Sequence, residues 1–135
     1  MAGEATTQGA NIALDAINGR ATQTARTTYL ALLTVAGTDA NTIAALTEVT
    51  TAGYARQAVT WGAPTGDPSV AANTAVITFG PFTADPPSIG FLGLVSSASG
   101  TTGDFLYRWT ADTARDGISG DSITIAVGAL TMSLD

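Results

Sequence analysis

Apolar and polar positions change rhythm once, near residue 28, and the change divides the chain. Ahead of it, Ala10, Ala13, Leu14 and Ile17 fall three or four residues apart, the spacing of one face of a helix. Thr6 or Thr7 can supply the N-cap hydroxyl, and Asn18-Gly19 ends the segment because glycine accepts the left-handed conformation at C′. A helix this short is marginal alone, so its apolar stripe must dock on its own sheet or on a neighbouring subunit. Beyond residue 28 the pattern becomes short apolar runs and period-two alternation. Residues 28–35 are apolar on both faces and rich in Leu, which predicts a central strand covered on two sides. Residues 55–61 alternate, with Ala55, Gln57, Val59 and Trp61 on one side and Arg56, Ala58 and Thr60 on the other. Further strands are predicted at 74–79, 89–95, 105–110, 123–127 and 129–134, the last with Leu130, Met132 and Leu134 inward. Residues 42–49 read either as a helical turn or as a covering loop. Residues 62–73 read as a Pro/Gly loop, 96–103 as a flexible connection and 111–121 as an acidic loop. Strands at this spacing, punctuated by Gly, Pro and Asp, predict a mainly β fold: an antiparallel β-sandwich or jelly-roll-like barrel with a short N-terminal helix. Residues 1–27 form an arm and helix in this reading, and 28–135 the sandwich domain.

Composition narrows what such a fold can do. The chain contains no histidine, cysteine or lysine. That removes imidazole bases and metal ligands, thiolates, and the amines that form Schiff bases or clamp phosphates. Only 12% of residues are charged, about half the usual share, so Thr, Ser, Ala, Gly and backbone must cover much of the surface. Interface cores are depleted of charge, so this composition fits life in an assembly, and it fits nearly as well the Thr-rich surface common in extracellular β proteins. The net charge of −6 and five scattered arginines (Arg20, Arg26, Arg56, Arg108 and Arg115) argue against nucleic acid, which needs clustered cations. No apolar run reaches the length of a membrane span, and the first twenty residues lack the charge and apolar core of a signal peptide.

Three constellations merit a chemical reading. Asp112, Asp116 and Asp121 share the stretch TADTARDGISGD, where a bent acidic loop could hold calcium. The spacing misses the EF-hand pattern and Arg115 sits in its middle, so turn chemistry from Asp-Gly and Gly-Asp is preferred. Paired-carboxylate hydrolysis needs two acids a few ångströms apart, but Glu4 and Glu48 are the only glutamates, Glu4 lies in the N-terminal arm, acidic pairs on such a fold are more often solvated turn residues, and no G-x-S-x-G is present. Trp61, Trp109, Tyr29, Tyr54 and Tyr107 could stack on sugars, but inside predicted strands they are better core and interface anchors. Arg56 near Tyr54, and Arg108 between Tyr107 and Trp109, fit paired or stacked roles within the fold. No residue is assigned to catalysis, cofactor binding or metal ligation.

Four stretches together carry a resemblance: YLALLT at 29–34, EVTTAGYARQAVTWG at 48–62, NTAVITFGPFTAD at 73–85 and the terminal GALTMSLD. In this order they resemble a family of small bacteriophage structural proteins, described as tail-fibre-like, minor tail or head-decoration proteins. The resemblance runs from Tyr29 to the end and extends loosely to the N-terminal helix. It implies a non-enzymatic virion protein, made in the host cytoplasm without a signal peptide. The expected role is a capsid decoration (cement) protein on the outside of the assembled head, with the major capsid protein as partner. The alternative is a minor tail or tail-fibre-base protein. A carbohydrate-binding module is the weaker reading and requires an exposed Trp61 or Trp109. A homo-oligomer, by preference a trimer, is expected from the closed symmetry of such assemblies.

One expectation concerns the N-terminus itself. Residues 1–8, mostly Gly, Ala and Thr, lack side chains to order themselves, so they are expected to form an extended arm ordered by a partner. The helix stripe is thin, so the helix is expected to serve intermolecular contact. Removing residues 1–19 is expected to leave a folded sandwich.

Overall fold

The computed structural model describes residues 1–134. Along the chain come β1 (Ala2–Ala5), α1 (Thr7–Ile17), β2 (Thr28–Leu33), a 3₁₀ turn (Ile43–Ala45), β3 (Gln57–Val59), β4 (Ser69–Ala72) and β5 (Ile77–Phe79). They are followed by β6 (Ile89–Val95), β7 (Phe105–Arg115), β8 (Ile123–Ile125) and β9 (Thr131–Leu134). One five-stranded sheet has the order β1-β7-β6-β2-β3, and two-stranded ribbons β4-β9 and β5-β8 stand beside it. Every pairing is antiparallel. The fold is therefore mainly β with a single short N-terminal helix, as the periodicity predicts.

The main core lies between the sheet and the ribbons. Leu30 and Leu32 of β2, Leu92 and Leu94 of β6, and Tyr107 and Trp109 of β7 meet Ile77, Phe79, Ile125 and Leu130 from the other layer. The opposite face of the sheet carries a smaller cluster of Ile43, Val95 and Phe105, with Tyr29 and Leu46 against it. Phe105 and Tyr107 are two residues apart and would share a face in a regular strand. They do not, because the register shifts between Leu94↔Tyr107 and Val95↔Phe105. Leu106 is the extra residue of a β-bulge, which turns Phe105 to the outer face.

Several expectations are corrected. The N-terminal arm is β1, an edge strand paired with β7 from Ala2↔Thr110 to Ala5↔Tyr107, so its own chain orders it. Backbone pairing needs no large side chains, which is why a Gly/Ala segment suffices. A Cβ on Gly3 would lie 2.3 Å from the Trp109 ring, so β1 lies directly over the indole. Removing residues 1–19 would strip that cover, and a sandwich left intact by the truncation is no longer expected. The loop at 62–73 contains β4, whose short Ser-Val-Ala-Ala run gives little periodic signal. The acidic loop begins later than expected, because β7 continues through Asp112 to Arg115. Leu134 is exposed rather than inward, and the strand at 55–61 is ordered as such only over β3. Asp135, the end of the GALTMSLD stretch, lies outside the described residues. Among the described residues no helix is long and apolar enough to cross a membrane.

Candidate interaction surface

Helix α1 is anchored at its N-terminal end by polar stitching. Thr6 caps the helix, its hydroxyl accepting from Gly9 N at 3.1 Å while donating to the carbonyl of Phe105. The Thr6 amide donates to Leu106 O at 3.2 Å, Thr7 N to Asp39 O at 3.0 Å, and Phe105 N to Gln8 Oε1 at 2.7 Å. Gly9 allows the close approach, since a Cβ there would stand 2.0 Å from Leu106 O. At its other end the helix closes on Asn18, which donates to Leu14 O at 3.0 Å, and on Gly19 in the left-handed region at φ 70°.

The face that meets the domain differs from the apolar stripe read from the spacing, which was expected to serve intermolecular contact. Gly9, Ile12, Ala13 and Ala16 line a groove of about 560 Å³ between α1 and the sheet, walled also by Trp61, Tyr107, Met132 and Leu134. At 100° per residue these helix positions and Ala10, Leu14 and Ile17 together span an apolar arc of about 200°. The predicted stripe of Ala10, Ala13, Leu14 and Ile17 overlaps the inward face only at Ala13. Leu14 is 59% exposed and Ile17 80%, and no residue of the helix is fully buried.

The other candidate side chains are occupied inside the fold. Trp109 is 2% exposed and donates Nε1–H to Thr131 O at 2.6 Å. Trp61 is half-buried, donates to Thr28 Oγ1 at 3.0 Å, and stacks on Trp109 with centroids 6.4 Å apart at 17°. Tyr107 tilts against Trp109 at 4.7 Å, Tyr54 stacks on Phe79 at 6.0 Å, and Tyr29 packs on the outer cluster. The five aromatics therefore form no exposed stacking platform.

Glu48, Tyr54 and Arg56, eight residues apart in sequence, converge on one cluster. Arg56 makes a fork on Glu48, Nε to Oε1 at 2.8 Å and Nη2 to Oε2 at 2.7 Å. Its remaining donors reach across to Ser97 O at 3.1 Å, Ser97 Oγ at 3.2 Å and Gly100 O at 2.9 Å, pinning the connection between β6 and β7. Tyr54 donates to Glu48 Oε1 at 2.6 Å and accepts from Leu32 N at 3.1 Å. Burial, reinforced by the adjacent Glu48 carboxylate, pushes the Tyr54 phenol far above its ordinary range, and the hydrogen bond to Glu48 raises the Arg56 guanidinium. Arg108 is likewise spent on Glu4, on Asp39 at 2.9 Å and on Gly37 O at 3.0 Å.

Nor do the acids of 111–121 converge. Asp112 lies on β7 with the Met1 ammonium 3.3 Å away, while Asp121 Oδ2 accepts from Ile118 N at 3.0 Å as a turn acceptor. Among the described residues no three acidic side chains are grouped as metal ligands. Asn73 is a residue whose role the periodicity did not reveal. It is 2% exposed, donates Nδ2 to Ala75 O and Ala126 O and accepts from Leu130 N, each at 2.9 Å. The only signal was its place at the head of the NTAVITF stretch.

The fold is an antiparallel β scaffold whose candidate polar and aromatic side chains bond within the chain, with Leu14 and Ile17 of α1 exposed. The chain belongs to the family described as podophage GP4 fiber I protein gp80, whose model matches residues 4–133. The resemblance to small phage structural proteins thereby becomes membership of such a family. No curated protein matches the chain.

Proposed function

We propose that this protein is a non-catalytic structural component of a phage fibre, working by contact rather than by chemistry. The observation that carries the reading is the family match, which spans residues 4–133 and bears the name of a fibre protein. That name favours the tail-side alternative over a decoration protein bound to the major capsid protein. The pairing of Glu48, Arg56, Arg108 and both tryptophans with partners inside the fold supports the non-catalytic part. The low charge of 12% supports burial in an assembly. Quantitative mass spectrometry of purified virions with immunogold labelling tests the placement. A handful of copies per particle with label at the tail is the expected result. Hundreds of copies with label over the head would overturn it and restore capsid decoration.

A further inference from the structure

The groove between α1 and the sheet, about 560 Å³, has the size of a small-molecule site. Its walls are mostly hydrocarbon, from Ile12 and Ala13 of the helix, Trp61, Leu94, Met132 and Leu134. Two polar groups set among them are already paired. Trp61 Nε1 donates to Thr28 Oγ1 at 3.0 Å, and the Tyr107 hydroxyl accepts from Ser133 N and donates to Ser133 O, each at 3.3 Å. Among the described residues, Arg26 is the one charged side chain in the lining. We propose that the groove binds a single fatty acid, its alkyl chain against the hydrocarbon wall and its carboxylate at Arg26. This goes beyond the fibre assignment and does not depend on where in the virion the protein sits.

The lining selects this chemistry over a peptide or a sugar. A peptide brings an N–H and a C=O with each residue, and a sugar brings a ring of hydroxyls. Pressing these against hydrocarbon without partners is costly. An alkyl chain brings no such groups and gains by leaving water. The exposed side chains of Gln23, Thr24 and Ser69 place further polar lining at the rim, where a head group lies. Charge sets the sign of that head group. The chain carries −6, yet the charge on this wall is a guanidinium. Arg26 meets Asp104 only at 3.4 Å, with side chains 38% and 39% exposed, so a ligand carboxylate can compete for it.

Entry needs a wall that gives way, and the two sides of the groove differ in how they are held. Helix α1 is stitched down through Thr6, Thr7 and Gln8. Residues 22–26 cross the other side without regular structure and fully exposed, and among the described residues no backbone hydrogen bond holds them. Segments with so few ties open at little cost. This strap is therefore the wall that moves aside, and a carboxylate on Arg26 ties it down again.

The test is calorimetric titration of the full chain with octanoate, decanoate and dodecanoate below their micelle-forming concentrations, with tryptophan emission as a second signal. Affinity is expected to rise about tenfold for each added pair of methylenes. Dodecanoate should bind about three- to fivefold tighter than dodecanol. Arg26→Gln should erase that difference and keep the dependence on chain length. Ala13→Phe, which fills the groove from the helix, should abolish binding with circular dichroism unchanged. Leu134→Asp, at a half-exposed position of the wall, should weaken dodecanoate about tenfold and keeps the test open if the phenylalanine variant does not fold. Hydrogen exchange at residues 22–26 should slow on binding. No binding of dodecanoate at millimolar concentration, an affinity independent of chain length, equal affinity for dodecanoate and dodecanol, or binding untouched by both groove variants would each overturn the proposal. Binding to phosphatidylglycerol vesicles without binding of monomeric dodecanoate would overturn it in favour of a lipid surface. A smaller mass of Ala13→Phe in sedimentation, again without dodecanoate binding, would give the groove to another chain.

Discussion

Arg56 makes a sharp stability prediction because its five donors join two parts of the fold. Its side chain is 6% exposed and that of Glu48 21%, so Arg56→Ala leaves a carboxylate largely out of water without its cation. Breaking a buried pair from one side costs about 3–5 kcal/mol, and the partial exposure of Glu48 places this one near the lower end. The bond to Gly100 is exposed and those to Ser97 are part-buried, so water replaces them in part and they add about 1 kcal/mol together. The expected loss is therefore about 3–4 kcal/mol, or a melting temperature lowered by about 10–15 °C for a domain of this size.

The assay is urea and thermal unfolding followed by the emission of Trp61 and Trp109, with hydrogen exchange on residues 96–103. Arg56→Lys keeps the charge but not the fork, so it should lose about half as much. The paired change Arg56→Met with Glu48→Gln should cost less than Arg56→Ala alone, because no orphan carboxylate remains. Exchange should quicken at the tip of the connection but not at its neck, which Ser96 N to Asp104 O at 3.0 Å and Asp104 N to Ser96 Oγ at 2.7 Å close independently. A loss below about 1 kcal/mol, the range of surface pairs, would refute the reasoning, as would unchanged exchange at the tip.

Asn73→Ala strands Leu130 N and the carbonyls of Ala75 and Ala126, and urea midpoints should show a loss of about 3 kcal/mol. Asn73→Asp should cost more at neutral pH, where its carboxylate would face those carbonyls, and should recover in part on acidification. Tyr54 titrates above its ordinary 10.0, so its contribution is intact below that pH and is lost as the pH rises toward the folded-state value. Urea midpoints between about pH 9 and pH 12 should therefore fall for the wild type, with a flatter alkaline limb for Tyr54→Phe. Gly9→Ala gains about 1 kcal/mol in helix propensity, yet its Cβ would sit 2.0 Å from Leu106 O. The backbone clash wins, and circular dichroism melts should show net destabilisation.

Long apolar runs were legible because burial on both faces leaves a continuous signal. Residues 89–95 were predicted with the bounds of β6, and 28–35 with nearly those of β2. The helix was legible from its cap and stop. Segments held mainly by backbone pairing were not: β1 and β4 are built from Gly, Ala, Ser and short apolar residues, which carry no periodic mark of their own. The bulge at Leu106 was illegible for a related reason, since a one-residue shift of register depends on the partner strand. Arg56 and Tyr54 were placed inside the fold, but the convergence of Glu48, Tyr54 and Arg56 on residues 97–100 spans some forty positions and follows from topology. Period-three-to-four spacing marked Leu14 and Ile17 as one face, but a helix apolar over about 200° has two, and periodicity does not say which one its own sheet takes.

The stretches that carried the family resemblance owe their residues to the scaffold. In EVTTAGYARQ, Glu48, Tyr54 and Arg56 form the clamp, and Gly53 at φ 90° would put a Cβ 2.3 Å from Pro81 O. In NTAVITF, Asn73 ties the 73–79 segment to Ala126 and Leu130, and Ile77 and Phe79 fill the core. In GALTMSLD, Gly128 donates to Asn73 O at 2.9 Å, Leu130 is buried and Thr131 accepts from Trp109. Each of these residues answers an obligation inside the chain, so substituting it reports first on folding. Leu14 and Ile17 answer none: removing either side chain would leave no cavity and no unpaired polar group. An exposed apolar pair on an ordered helix costs solubility unless something covers it. Motifs therefore identify the scaffold of this protein, and its contacts are to be sought among side chains the scaffold does not need.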